Sequence, residues 1–260
     1  GRLTGVQATD WSWGALMFDF QNDGNKDIFV ANGIYQDLTD QDFLQYVTQD
    51  EVIREIASPG SVNYKKLIEL IPSVPVSNYA FINNGDLKFE NKTNFLGLYK
   101  PSFSNGSAYG DLDNDGDYDL VVNNVNMKAF IYKNNTEKLY PENRFLKIKL
   151  IGKDQNLNAI GSKVYAYSDK NLYTLEQMPI RGFQSTVDNN LIIGVGNNEV
   201  LDSVLVKWYD GSISKIRNIK SSQTITLDIN DSKKSENRSA LKGKSYFKES
   251  TNELISYIHR

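Results

Sequence analysis

Residues 111–124, DLDNDGDYDLVVNN, set aspartates at positions 111, 113, 115, 117 and 119 and then run straight into Leu120, Val121 and Val122. Like charges on alternate positions of one short loop repel strongly unless positive charge sits among them. Calcium fits such a loop. It takes about 6 to 8 oxygen ligands at about 2.3 to 2.6 Å, and alternate carboxylates on a curled backbone can converge on one ion. Gly116 permits the sharp turn. Asp111, Asp113, Asp115 and Asp119 are expected to supply side chains, and Asp117 its backbone carbonyl.

The stretch has an earlier copy. Residues 18–33, FDFQNDGNKDIFVANG, align with it when Asp19 is set against Asp111: both read D-x-x-N-D-G-x-x-D, then three apolar residues, then a polar turn containing Asn. The candidate ligands of the copy are Asp19, Gln21, Asp23, Asn25 and Asp27. Gln21 puts a neutral amide where the second loop has Asp113. Two calcium sites are therefore expected, the one at 111–119 stronger than the one at 19–27. An EF-hand shares this beginning but needs a Glu at the twelfth position and flanking helices; Val30 and Val122 stand there, leading into β-branched runs. The alternative in both loops is an Asp/Asn/Gly turn that holds no metal.

Composition sets the outer limits. The chain has 260 residues, 40% of them hydrophobic, enough to build real cores. A net charge of −3 points to neither nucleic acid nor an anionic membrane surface as a partner. The absence of cysteine excludes disulfides and thiolate chemistry. No apolar run approaches the length of a membrane-spanning helix. The opening residues lack the pattern of a signal peptide, and the chain starts in mid-pattern, so flanking sequence is expected on both sides.

Between the two acidic loops the hydrophobic period changes. Residues 39–57 carry Phe43, Val47 and Ile56 at helical spacing with Pro59-Gly60 as a stop, and a second helical run, NYKKLIELIP, ends at Pro72. Residues 37–72 read as a helical insertion on one rim of a β structure. Trp11 and Trp13, ahead of the first loop, could furnish a carbohydrate- or protein-binding surface, but on a strand at that place they read as core of the β structure.

After residue 140 the chain reads as a second β module. RFLKIKLIG (144–152), KVYAY (163–167), LIIGVG (191–196), SVLVKWYDG (203–211) and QTITLDI (223–229) are strands between polar turns, with Val204, Val206 and Trp208 on one face. A small β-sandwich or barrel follows from that pattern. LIIGVG is no phosphate loop, because no further glycine follows at the required spacing and no helix opens there; Gly194 and Gly196 read as a turn between strands. Residues 231–245 are polar and charge-rich, a linker composition.

These residues resemble known families. D-x-D-x-D-G-x-x-D followed by a strand is similar to the FG-GAP or VCBS repeat, the blade unit of integrin-type β-propellers, and SNYAFINNGDLKFENKTNFLGL (77–98) and FIYKNN (130–135) extend the likeness. NAIGSKVYAY (158–167), RGFQS (181–185), LIIGVGNN (191–198) and DSVLVKWYDG (202–211) resemble an ASPIC/UnbV domain, a companion of such repeats in secreted proteins. Residues 246–260 look like the start of a further repeat. The fold expected is mainly β: partial propeller blades with calcium loops over 1–140, then a small sandwich or barrel over 141–230.

Catalytic chemistry finds little footing. The only histidine is His259, so a Ser-His-Asp triad and a His-rich metal site are excluded, and the densest carboxylates are assigned to calcium. The expectation is a calcium-stabilised, non-enzymatic extracellular recognition or adhesion module. Resemblance implies that it is secreted or displayed on an outer membrane, in the manner of a lipoprotein, and binds a glycan or a protein. Part of a polysaccharide-acting enzyme and a scaffold subunit of an outer-membrane assembly are the alternatives.

Overall fold

The computed structural model describes residues 1–58, 61–169 and 171–234, and these form a mainly β protein. Pro59-Gly60, the linker beyond residue 234, the repeat start at 246–260 and His259 lie outside the described residues.

The first acidic stretch joins β1 (Ser12–Phe18) to β2 (Asp27–Asn32), which pair antiparallel. The chain then leaves the sheet through α1 (Gln41–Val47), α2 (Asp50–Ile56), the two-residue strands β3 (Ala57–Ser58) and β4 (Ser61–Val62), and α3 (Tyr64–Glu69). The backbone N–H of Asp37 donates to the Pro72 carbonyl at 3.0 Å, which closes the base of this excursion. The single helix expected over residues 39–57 is two. Thr48 ends α1 by turning its hydroxyl back onto the Gln45 carbonyl at 2.9 Å, and α2 restarts at Asp50 with acidic residues in its first turn.

Back in the sheet, β5 (Tyr79–Asn83) and β6 (Phe89–Asn91) complete an antiparallel meander in the order β1-β2-β5-β6. The second acidic loop joins β7 (Ser104–Gly110) to β8 (Asp119–Asn124), and β9 (Phe130–Tyr132) follows as a second, three-stranded meander. Leu16, Phe18, Phe29, Ala31, Ala80 and Ile82 of the first meander share one core with Leu120, Val122 and Phe130 of the second. No ring of blades closes among the described residues.

The short α4 (Thr136–Leu139) leads into the second module. There β10 (Arg144–Ile151) lies between β13 (Leu191–Gly196), antiparallel, and β16 (Gln223–Asp228), parallel. A four-stranded antiparallel sheet, β12-β11-β14-β15, comprises β11 (Lys163–Ser168), β12 (Asn171–Glu176), β14 (Val200–Lys207) and β15 (Ile213–Lys220). Leu146, Ile148 and Leu150 of the first sheet pack with Val164, Ala166, Val204, Val206 and Trp208 of the second. Two sheets thus enclose one core, and no closed barrel forms among the described residues.

Two expectations are overturned. Gly194 is not in a turn; it sits inside β13, with Gly196 at the strand's end. Trp11 and Trp13 are not core: they are 41% and 38% exposed. In β1 the buried alternate positions are Gly14, Leu16 and Phe18, so Trp13 points outward, its ring 4.9 Å from Phe183.

Alternation in β13 decides how the modules meet. Leu191, Ile193 and Val195 face the second module's core, while Ile192 joins the core of the meanders and Gly194 faces the first acidic loop. β10 divides the same way: Leu146, Ile148 and Leu150 point inward, and Phe145 and Lys147 point at the acidic loops.

Candidate metal centre

The two acidic loops share one backbone frame. Asn22 and Asn114 both take the left-handed conformation, with φ of 57° and 65°, followed by Gly24 and Gly116 at 93° and 94°. The first carboxylate of each loop accepts the glycine N–H five residues on: Asp19 from Gly24 at 2.8 Å and Asp111 from Gly116 at 3.3 Å. The fifth-position carboxylate caps the seventh-position N–H, Asp23 for Asn25 at 2.7 Å and Asp115 for Asp117 at 3.3 Å.

The last aspartate of each loop has a second task. Asp27 accepts the N–H of Phe20 at 2.9 Å on one oxygen and of Asn83 at 2.8 Å on the other. Asp119 accepts Leu112 at 2.9 Å and Asn134 at 2.8 Å in the same manner. Asp27 thereby ties its loop to β5, and Asp119 ties its loop to the segment just after β9. Asn83 and Asn134 return a side-chain bond to the carbonyl just before that aspartate, Lys26 at 3.1 Å and Tyr118 at 3.2 Å. The Asn pairs of FINN and YKNN were the available signal for these partners, and sequence reasoning assigned them no role.

The loops differ in what surrounds them. In the second, carboxylate oxygens of Asp111, Asp113 and Asp115 lie within 4.8 Å of one another, and those of Asp115, Asp117 and Glu137 form a second such group. Among the described residues no such group forms in the first loop, where Asp19 is buried, Gln21 and Asp23 are half-buried and Asn25 is exposed. Asp117, expected to offer its carbonyl, is a buried residue, 1% exposed, whose carboxylate accepts the Thr136 N–H at 3.0 Å.

Lysines supply part of the neutralising charge. Buried Lys147 donates to Asp111 Oδ2 at 2.8 Å and to Asn114 Oδ1 at 3.0 Å. Exposed Lys133 pairs with Asp113 and lies 3.3 Å from Asp115 Oδ2. Lys147 balances Asp111 in a buried pair, whereas the pair that Lys133 makes with Asp113 and Asp115 lies at the surface, where solvent screens it. Four buried acceptors of this cluster, Asp111 Oδ1, Asp115 Oδ2, Asp117 Oδ1 and Glu137 Oε2, have no hydrogen-bond partner among the described residues.

Burial and like charge raise several of these acids. Asp117 is pushed up to about 8, first by burial, then by Asp115 and Glu137. Asp19 is raised to about 7 by burial and then by Asp23, and Asp27 to about 7 mainly by burial. Carboxyl groups that resist ionisation at neutral pH are a donor set that a hard divalent cation relieves, and calcium's preference for oxygen ligands fits it.

Where the first loop meets β12 and β13, a cleft of about 460 Å³ is lined by Asp19, Lys26, Tyr109, Arg181 and Asp188 among others. Its lysine is lowered by burial and then by Arg181. Among the described residues there is no histidine or cysteine, so the cleft holds no Ser-His or Cys-His pair.

The module that packs on both loops is recognisable. Residues 152–234 match the family model described as ASPIC and UnbV. The ASPIC and UnbV match spans β11 to β16 and begins after β10, although β10 pairs with two of its strands and carries Lys147 to the second loop. Among curated proteins, none matches the chain. No helix among the described residues is long and apolar enough to cross a membrane.

Proposed function

We propose that this chain is a calcium-stabilised, non-enzymatic recognition module of an extracellular or outer-membrane surface, its two meanders being propeller blades of the FG-GAP/VCBS kind held against an ASPIC/UnbV domain. The observation that carries the reading is the repeated loop: two acidic turns with the same left-handed positions and the same hydrogen-bond frame, each feeding a buried strand. Calcium in such loops has a structural role, closing carboxylates that otherwise repel and fixing the turn that starts β2 or β8. Loops of this kind suit the millimolar calcium outside cells, with affinities of about 10⁻⁴ to 10⁻³ M. The ligand class consistent with the resemblance is a glycan or a protein.

Calorimetric titration with calcium tests the metal half, and a glycan panel scored for both binding and turnover tests the other. Saturable calcium binding that Asp113→Asn weakens, with glycan capture but no cleavage, is the expected pair of results. Polysaccharide cleavage that persists after Asp111→Asn would replace the recognition reading with the enzymatic one.

A further inference from the structure

Trp11, just ahead of β1, and Trp13, within it, stand exposed and clear of both cores. Trp13 is nonetheless held in place. It donates its indole N–H to the Gly33 carbonyl at 2.5 Å, and its ring lies 4.9 Å from that of Phe183 and 6.3 Å from that of Trp11. Phe183 comes from the second module. Residues 180–186 turn back on themselves through a bridge between Ile180 and Thr186, and the tip of this hairpin rests on both meanders. A Cβ on Gly14 of β1 would lie 2.9 Å from the Phe183 nitrogen, and one on Gly106 of β7 would lie 3.1 Å from Ser185 Oγ. The row of three rings is thus built jointly by β1 and the hairpin, and it is in position before any ligand arrives.

Phe183 also lines a cleft of about 300 Å³ beside β7 and β8, and none of the side chains lining that cleft is charged. Its polar groups are amides and hydroxyls. Asn123 donates to Asn105 Oδ1 at 2.9 Å, which fixes the pair and leaves the Asn105 amide nitrogen and the Asn123 carbonyl oxygen without a partner among the described residues. The Gln184 amide and the Thr186 hydroxyl, also in the lining, are equally unengaged there. Aromatic faces beside neutral amides select a particular chemistry. The carbon–hydrogen face of a sugar ring packs against the electron-rich face of an aromatic ring, and amides both donate to and accept from its hydroxyls. A charged ligand would enter such a cleft without a counter-charge.

We propose that Trp11, Trp13 and Phe183, with the Asn105–Asn123 pair beside them, bind one chain of a neutral oligosaccharide or polysaccharide. Its rings stack along the aromatic row and its hydroxyls pair in the cleft. The proposal rests on the recognition reading and gives it a place and a ligand class. Because β1, the β7–β8 pair and the 180–186 hairpin each supply part of the site, it exists only while the two modules are joined.

Titration of the whole chain, in calcium, with soluble gluco-, manno- and xylo-oligosaccharides tests it, with oligogalacturonate as the charged counterpart. Calorimetry gives the affinity, and tryptophan fluorescence gives the place, since Trp208 is buried in the second core and Trp11 and Trp13 are exposed. A neutral oligosaccharide is expected to bind and to change the fluorescence, and oligogalacturonate is not. Trp13→Ala is expected to weaken binding by about tenfold or more, as loss of an aromatic anchor does, and Asn123→Ala by about two- to tenfold, the worth of one hydrogen bond. Calcium titration of each variant, expected to be unchanged, shows that the fold is intact; a variant that fails this control leaves the test to the other. A neutral saccharide bound equally well by the folded variants refutes the site and leaves the recognition reading standing, as does tighter binding of oligogalacturonate. Blank titrations with every saccharide refute both the site and the glycan half of that reading.

Discussion

Asp27 and Asp119 show how little of a residue's work its place in a motif reveals. Both occupy the last acidic position of their loops, and each also accepts two backbone N–H groups, one from its own loop and one from the end of, or just beyond, the third strand of its meander. Removing the carboxylate in Asp119→Ala orphans the Leu112 and Asn134 donors together. We expect a loss of about 2 to 4 kcal/mol, read from urea denaturation in chelator. The sequence made the acidic positions legible because charge on alternate residues is conspicuous. It left Glu137, Lys133 and Lys147 unseen, since each reaches the loop only through tertiary packing. The same residues set the pH response. Asp19 and Asp27, raised to about 7, and Asp117, raised to about 8, hold protons in the folded state that an ordinary carboxyl of 3.8 releases when unfolded. A raised acid contributes stability that is fully present below the unfolded value and is lost as pH rises through the folded one. Without calcium, the unfolding midpoint should therefore fall between about pH 4 and pH 8; with calcium, which favours the ionised form, the fall should shrink. A calcium-free midpoint that rises across this window would contradict these shifts.

Among the elements, β13 and β10 connect sequence to architecture most directly. The near-continuous apolar run of LIIGVG is what a strand covered on both faces requires, and its glycine at 194 makes room for the first loop. A Cβ there would overlap Asp19 Oδ2 and lie 2.5 Å from the Asn22 Cα. Gly194→Ala is accordingly expected to destabilise by about 1 to 3 kcal/mol, as overpacking does, and to lower calcium affinity at the first loop in the same titration. Lys147→Met removes the partner of a buried carboxylate, a change of about 3 to 5 kcal/mol for a broken buried pair, visible as a lowered midpoint in chelator. The five strands read from sequence in this module are all present, with ends shifted by a few residues. Those missed are β12 and β15, and both are sheet edges: residues 171–176 and 213–220 carry exposed polar and charged side chains that blur a period of two. The Trp11 and Trp13 reading failed for a related reason. An aromatic residue announces a strand, but only the parity set by Leu16 and Phe18 tells which face it takes.

Across the whole molecule, the two modules that the sequence separates near residue 140 interlock. Val187 and Ile192 of the second lie in the core of the first, Tyr118 accepts the Ile192 N–H at 2.7 Å, and Asn22 binds the Gly196 N–H through its carbonyl at 2.9 Å. Such contacts are non-local, and no period or motif announces them. The acidic loops lie at this join, so their charge bears on the stability of the entire chain. The most direct test of that claim is thermal unfolding of the chain in excess calcium against chelator. At about a hundred times the dissociation constant, an occupied site adds about 2.7 kcal/mol, which for a protein of this size raises the midpoint by roughly 5 to 10 °C. That rise is the predicted result; a midpoint unmoved by calcium would contradict the account.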